Sequence, residues 1–171
     1  MDQSGEYRIP AERADVWRAL NDPDTLKRCI DGCQSMERRP DGGFAAVVKA
    51  RVGPVRAVFN AALDLADINP PESYTINVAV KGGPAGFARG SAAVTLAAQG
   101  EETMLRYAAS ANIGGKLAQI GSRLIDGAAR KMADDFFKAF HAEMSGRTPN
   151  PAPRPQDDGR AAVPINIQVN T

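Results

Sequence analysis

Through the middle of this chain, hydrophobic and polar residues alternate with a period of two. Phe44, Ala46, Val48, Ala50 and Val52 fall on one side of an extended segment, with Lys49 and Arg51 on the other. Gly53 and Pro54 break the run, and the alternation resumes with Val55, Ala57, Phe59, Ala61, Leu63 and Leu65 against Arg56, Asn60 and Asp64. Such a pattern marks a sheet that is covered on one face and wet on the other. Four further segments read as strands: "GCQSMERR", "TINVAV", "GSAAVTLAA" and "EETMLRYAASANI". The turn-rich runs "PDGG" and "NPPESY" punctuate the series. In the last strand Leu105, Tyr107, Ala109, Ala111 and Ile113 alternate with Arg106, Ser110 and Asn112, so Tyr107 faces the covered side and Arg106 does not. Six strands in succession predict an antiparallel meander.

The ends of the chain carry a different period. "EYRI" predicts a short first strand. Pro10 then opens "AERADVWRAL", as suits a residue whose missing N–H would be unpaired in a first helical turn. Ala14, Trp17 and Leu20 share one face of that helix. Asp22 is placed to cap a second short helix in "DPDTLKRCI". After Ile113 the spacing becomes helical. Leu117, Ile120, Leu124, Ala128, Met132, Phe136 and Phe140 form a stripe at steps of three and four. One helix of about 28 residues would be about 42 Å long. Gly121 and Gly127 lie inside it, each costing roughly 1 kcal/mol relative to Ala. Close backbone approach or room for a ligand would account for them.

The predicted fold is therefore α+β: a curved antiparallel sheet of about seven strands wrapped on a long C-terminal helix, with two short helices after the first strand. Many residues facing the helix are small, among them Ala46, Ala50, Ala57, Ala61, Ala109 and Ala111. Small residues on facing surfaces either let sheet and helix touch or leave a cavity. Strong sheet curvature, which holds the centre away from the helix, favours the cavity.

Composition narrows the function. The chain of 171 residues is the size of one domain, and its 43% hydrophobic and 24% charged residues are ordinary for a globular protein. A net charge of +1 gives no global field toward nucleic acid. No run of about 18 apolar residues predicts a membrane span, and the first residues lack a secretory pattern. A cytoplasmic protein is expected. Cys29 and Cys33 are too few for a disulfide framework, and C-x3-C beside a single histidine is a poor zinc pattern. His141, near the end of the long helix, is badly placed for a nucleophile–base pair and reads as a surface residue. "GFARG" lacks the phosphate-loop pattern and reads either as a turn into a strand or as a pocket lid with Phe87 at its tip. "GGK" at Gly114 to Lys116 reads as a hinge from strand to helix. With almost no ionisable group on the covered faces, a binding role is favoured over catalysis. No catalytic residue, metal ligand or covalently bound cofactor is assigned.

Three longer stretches carry a family likeness: "IDGCQSMERRPDGGFAAVVKARVGPVRAVFNAALDLADINPPESYTI", "GGPAGFARGSAAVTL" and "IGGKLAQIGSRLID". In content, order and spacing they resemble the CoxG family of carbon monoxide dehydrogenase subunits, over roughly Tyr7 to Met144. The element order is similar to the helix-grip order of the START and Bet v 1-like superfamily. The resemblance implies an accessory protein of a molybdenum-containing carbon monoxide dehydrogenase-type enzyme. It implies an apolar ligand, a lipid or a respiratory quinone, held between sheet and helix, and peripheral association with the inner face of the cell membrane. On the sheet, the residues expected to line the ligand are Val48, Phe59, Leu63, Phe87, Leu105 and Tyr107. On the helix they are Leu117, Ile120, Gly121 and Leu124. Two alternatives stay open: a small cyclase or hydrolase of the same superfamily, and an assembly factor for the dehydrogenase with no functional ligand.

The domain is expected to span residues 1–145. Residues 146–171 read as a proline-rich tether, "TPNPAPRPQDDGR", ending in Val163, Ile165, Ile167 and Val169 at alternate positions. That end suits either addition to a partner's sheet edge or plain disorder. Many members of the family carry a hydrophobic C-terminal segment after a similar linker, and this tail departs from that pattern.

Overall fold

The computed structural model describes residues 1–146. The tail beyond Gly146, with its alternating valines and isoleucines, lies outside the described residues. The elements run β1 (Asp2–Ile9), α1 (Arg13–Leu20), α2 (Pro23–Cys29), β2 (Cys33–Arg38), β3 (Phe44–Val52), β4 (Val55–Asn69) and β5 (Ser73–Lys81). A 3-10 turn (Gly83–Ala85) then precedes β6 (Phe87–Gln99), β7 (Glu102–Gly114), α3 (Lys116–Gln119) and α4 (Ser122–Ser145). One seven-stranded sheet in the order β1-β7-β6-β5-β4-β3-β2 carries them, and every neighbouring pair is antiparallel. Strands β2 to β7 form the expected meander, and β1 closes the far edge against β7. The fold class is as read from the sequence.

Three local expectations are corrected. The first strand begins at Asp2, well before "EYRI". Its polar start has no alternation to show, and pairing of Asp2 to Ser110 extends it along β7. Pro10 lies in the bend before α1 rather than in its first turn. The C-terminal helix is not one rod of 28 residues: a single turn, α3, is followed by a break at Gly121 and the 24-residue α4. Gly121 has φ +96°, a conformation that an L residue rarely adopts. Helix α2 behaves as read, with Pro23 in its first turn and Asp22 accepting from the Thr25 N–H at 3.3 Å and the Thr25 hydroxyl at 2.7 Å.

The sheet's covered face is sealed mainly by the second half of α4. Phe140 and Met144 are buried with Ile9, Val16, Leu96 and Leu105. Phe137 stacks on Tyr7 at 4.1 Å and on Tyr107 at 5.8 Å between centroids. The Tyr7 hydroxyl donates to Asp134 Oδ1 at 2.8 Å, and Arg28 on α2 holds Glu143 by an ion pair at 2.5 Å. The first half of α4 has no comparable seat, and Leu124 and Met132 are about half exposed. A second cluster (Leu26, Met36, Phe44, Ala46) lies under α2 and β2. A third (Val55, Phe59, Ala85, Leu117) lies at the β3–β4 hairpin end.

The asymmetry along α4 has a measurable consequence. Phe140→Ala is expected to cost about 3–5 kcal/mol in denaturant unfolding, whereas Leu124→Ala should stay within about 0.5 kcal/mol. Equal costs would show that the helix is seated along its whole length. A second expectation concerns alkali. Burial pushes the Tyr74 hydroxyl well above the usual tyrosine range, so the folded state holds that proton more tightly than the unfolded chain. This stabilisation is complete below pH of about 10, the unfolded value, and is lost as pH rises through the folded one. A pH series of unfolding should therefore show falling stability above about pH 10, with a shallower fall in Tyr74→Phe.

Candidate ligand-binding groove

A groove of about 1200 Å³ runs between the loosely seated half of α4 and the β3–β4 hairpin, with Ile30, Asp31 and Gly32 at one end. Its floor is made by a pair of small residues. Ala50 and Ala57 are partners across the hairpin, flanked along the strands by the bulkier pairs Val48–Phe59 and Val52–Val55. Beside the two alanines, Lys49, Arg51, Arg56 and Val58 of the same hairpin also border the groove. The opposite wall is a helical stripe of Leu124, Gly127, Ala128, Met132 and Phe136. A methyl group added at Gly127 would meet nothing within 4 Å, so this glycine is not there for close packing. Leu124 and Met132, 52% and 50% exposed, present apolar surface that no other part of the described chain covers. At the hairpin tip, Gly53 (φ +58°) lies beside Ile120 and Leu124, where an added Cβ would stand 3.5 and 3.7 Å from their methyl groups.

Charge borders the groove on both sides, with Lys49, Arg51 and Arg56 on the hairpin, and it is partly neutralised on the helix. Lys131 pairs with Asp135 at 2.5 Å, and that hydrogen bond holds its ammonium above the usual lysine range. Arg123 and Asp31 complete the charged residues on the helix and on the α2–β2 loop. His141 lies away from the groove, exposed near the end of α4, with its Nδ1 3.4 Å from Ser145 Oγ one turn later. Cys29 is buried in the core, and Cys33 donates its thiol to the Ser35 carbonyl at 3.2 Å, with burial pushing that thiol up. Among the described residues no three His, Cys, Asp or Glu side chains are grouped as a metal site would need.

The ten residues expected to line a ligand fall into several places. Leu124 is on the groove wall. Ile120 packs with Phe59 and Leu117 in the cluster at the hairpin end. Val48 and Leu63 pack on the cluster around Phe44. Leu105 is buried beneath α1 and the end of α4, and Tyr107 lies beside it. The Tyr107 hydroxyl accepts from Gln3 Nε2 at 2.9 Å, which supplies the partner that a covered tyrosine needs. Gly121 is the break between α3 and α4. Phe87 is not a loop tip: it is the first residue of β6, 49% exposed on the outer face of the sheet. Its ring lies over Gly114, where no side chain would fit. Sequence reading missed Ile30, Asp31 and Gly127 as lining, and it could not single out the Ala50–Ala57 pair from the other inward alanines. A glycine inside a helical stripe opposite a row of alanines was the available signal.

The glycine-rich turn before β6 has a structural explanation. Gly86 (φ +113°) abuts the Gly114 carbonyl, and an added Cβ at Gly115 (φ +70°) would stand 2.8 Å from the Gly86 Cα. Two backbones touch here, which fixes where β7 hands over to α3.

A curved meander with a long C-terminal helix across it and an open groove between them defines a START-type fold. Solved structures agree. A START superfamily protein from Mycobacterium smegmatis superposes with a TM-score of 0.64 at 12% identity, covering 86% of this chain and 99% of that one. The Zhui aromatase/cyclase from a Streptomyces species gives 0.65 at 11% identity, covering 85% and 93%. A conserved protein from Geobacillus kaustophilus is more alike, with a TM-score of 0.80 and 33% identity over 85% of this chain and 95% of that one. A search of curated proteins finds no match. The model of the CoxG family, described as a subunit of carbon monoxide dehydrogenase, matches residues 5–145. The chain belongs to the CoxG family.

The contrasting glycines can be tested by unfolding. Gly127→Ala should stabilise the protein by up to about 1 kcal/mol, because the helix gains propensity and nothing is displaced. Gly86→Ala should destabilise it by more than that, because the backbone contact and the positive φ both oppose a side chain. A loss of stability at position 127 would mean that the groove wall is closed there.

Proposed function

We propose that this protein is a noncatalytic accessory protein that holds an apolar ligand, a lipid or a respiratory quinone, in the groove between α4 and the β3–β4 hairpin. In this reading it serves a molybdenum-containing carbon monoxide dehydrogenase-type enzyme by recruiting it to the membrane surface or by linking it to the quinone pool. The observation that carries the proposal is the groove itself. It is about 1200 Å³, at the upper end of small-molecule sites or beyond it. Its two walls meet at small residues, its exposed large hydrophobic side chains include Leu124, Met132 and Val58, and the hairpin cations Lys49, Arg51 and Arg56 border it. An apolar guest would remove that surface from water at about 25 cal/mol per Å². Family membership supports the link to the dehydrogenase. Among the described residues no helix is long and apolar enough to cross a membrane, so the proposed membrane contact is at the surface.

A cyclase reading draws on the aromatase/cyclase among the structural neighbours. Against it, the groove walls bring no histidine or cysteine beside a carboxylate, and the one histidine is exposed elsewhere.

Solvent extraction of the purified protein followed by mass spectrometry should release an isoprenoid or acyl compound. Added short-chain quinone or fatty acid should bind to the wild type at least about tenfold more tightly than to Gly127→Leu, whose side chain projects into the groove without disturbing the fold. Absence of any extractable apolar molecule, together with no binding of added quinone or lipid, would refute the groove as a ligand site. Co-purification of the dehydrogenase with the wild type tests the accessory role separately.

A further inference from the structure

The outer face of the sheet carries a cluster of cations, three of which, Lys49, Arg51 and Arg56, also border the groove. Strand pleat and register assign its side chains. Residues that alternate with the inward Ala50, Ala57, Phe59, Val80 and Ala88 point outward, and cross-strand partners share a face. Arg51 is paired with Arg56, and Lys49 with Val58. Asn60 is paired with Lys81, Lys81 with Phe87, and Arg89 with Ala79 and Asn112. All five cations are exposed. None is in an ion pair with another described residue. Two arginines directly opposite each other repel, and no acid on this half of the face relieves them. The outward acids around it are Glu37 on β2, Asp64, already paired with Arg39, and Asp2 on the far edge strand. The whole chain carries only +1, so this is a local excess balanced by acids elsewhere. Between the cations lie Asn60 and Asn112, the small Ala62 and Ala79, and the half-exposed Val58 and Phe87.

We propose that this half-face, centred on Lys49, Arg51, Arg56, Lys81 and Arg89, docks the protein on an anionic phospholipid surface. The inference rests on the membrane recruitment proposed above and names the surface and the lipid charge responsible. Long cationic side chains reach headgroup phosphates while their stems, with Val58 and Phe87, lie at the interface. A single-stranded nucleic acid would also meet positive charge here, but such sites stack successive bases on several aromatic platforms, and this half-face has only Phe87. Docking in this way also has a use. The same hairpin bears the cations and the Ala50–Ala57 floor of the groove, and Lys49, Arg51 and Arg56 border that groove, so docking through them would set the groove's edge beside the bilayer, where an apolar guest would enter or leave.

The test is co-sedimentation of the full chain with vesicles of phosphatidylcholine alone and of phosphatidylcholine with phosphatidylglycerol. The wild type should bind the anionic vesicles at least about tenfold more strongly than the neutral ones, and binding should fall steeply with added salt. The double variant Lys81→Glu, Arg89→Glu, at the two cations that do not border the groove, should weaken that binding at least about fivefold while keeping its thermal unfolding and its quinone or fatty-acid binding. The milder Arg51→Gln, Arg56→Gln pair, which removes the facing charges without adding acids, should give a partial loss. Phe87→Trp should show a blue shift in emission with anionic vesicles only, measured against the parent chain, whose single tryptophan is Trp17. Gly127→Leu should bind vesicles as the wild type does, which separates this proposal from the groove. If the wild type binds anionic vesicles and the charge variants bind equally well, this face is overturned and membrane recruitment stands. If the wild type binds no vesicle, both fall; retention by a single-stranded oligonucleotide in that case assigns the patch to nucleic acid instead.

Discussion

The seating of Phe140 and Met144 against Ile9, Val16 and Leu105 is the contact on which the rest of the structure depends. A seven-stranded sheet with one apolar face must have that face covered, and one helix crossing it cannot touch it everywhere. The second half of α4 takes the seat, helped by Phe137 between two tyrosines and by the Arg28–Glu143 pair that ties the helix to α2. The first half is then held off the sheet by the curvature of the strands beneath it. Where the alanine pair on the hairpin meets Gly127 on the helix, the remaining separation is a groove.

The two faces of the β3–β4 hairpin serve different chemistry because a strand must present alternate residues to alternate sides. Inward, Ala50 and Ala57 leave volume; outward, Lys49, Arg51 and Arg56 leave charge. The proposed ligand site and the proposed docking face share this hairpin, and Lys49, Arg51 and Arg56 border both. The backbone contact between Gly86 and Gly115 fixes the strand-to-helix handover, and the break at Gly121 lets α4 leave it at a new angle.

Several elements were readable along the chain, and the reasons differ. Strands β3, β4 and β7 declare themselves because each is wet on one face and covered on the other. The start of β1 does not, because "DQSG" is polar on both faces and becomes a strand only by pairing with β7. The helical stripe from Leu117 to Phe140 was visible, but its break at Gly121 was not: a glycine tolerated within a helix and one that ends a turn look alike without their φ angles. The run around Phe87 could be read as a turn into a strand or as a lid with Phe87 at its tip, and strand register decided for the strand and placed the ring on the outer face. For the ligand-lining set, hydrophobicity selected residues that make the core, such as Leu105 and Phe59. The groove is made instead by small residues and by large ones left uncovered.

Local pattern therefore determined the element types, the meander, the helix-grip class and, through three ordered motifs, the family. Those properties depend on periodicity and on residue identity within short windows, which a linear chain displays. Tertiary structure alone decided which part of α4 is seated, which alanines face one another across the hairpin and which cations gather on one outer face. Each of these is a relation between residues far apart in sequence. It is set by strand register, sheet curvature and the place where the chain breaks its last helix.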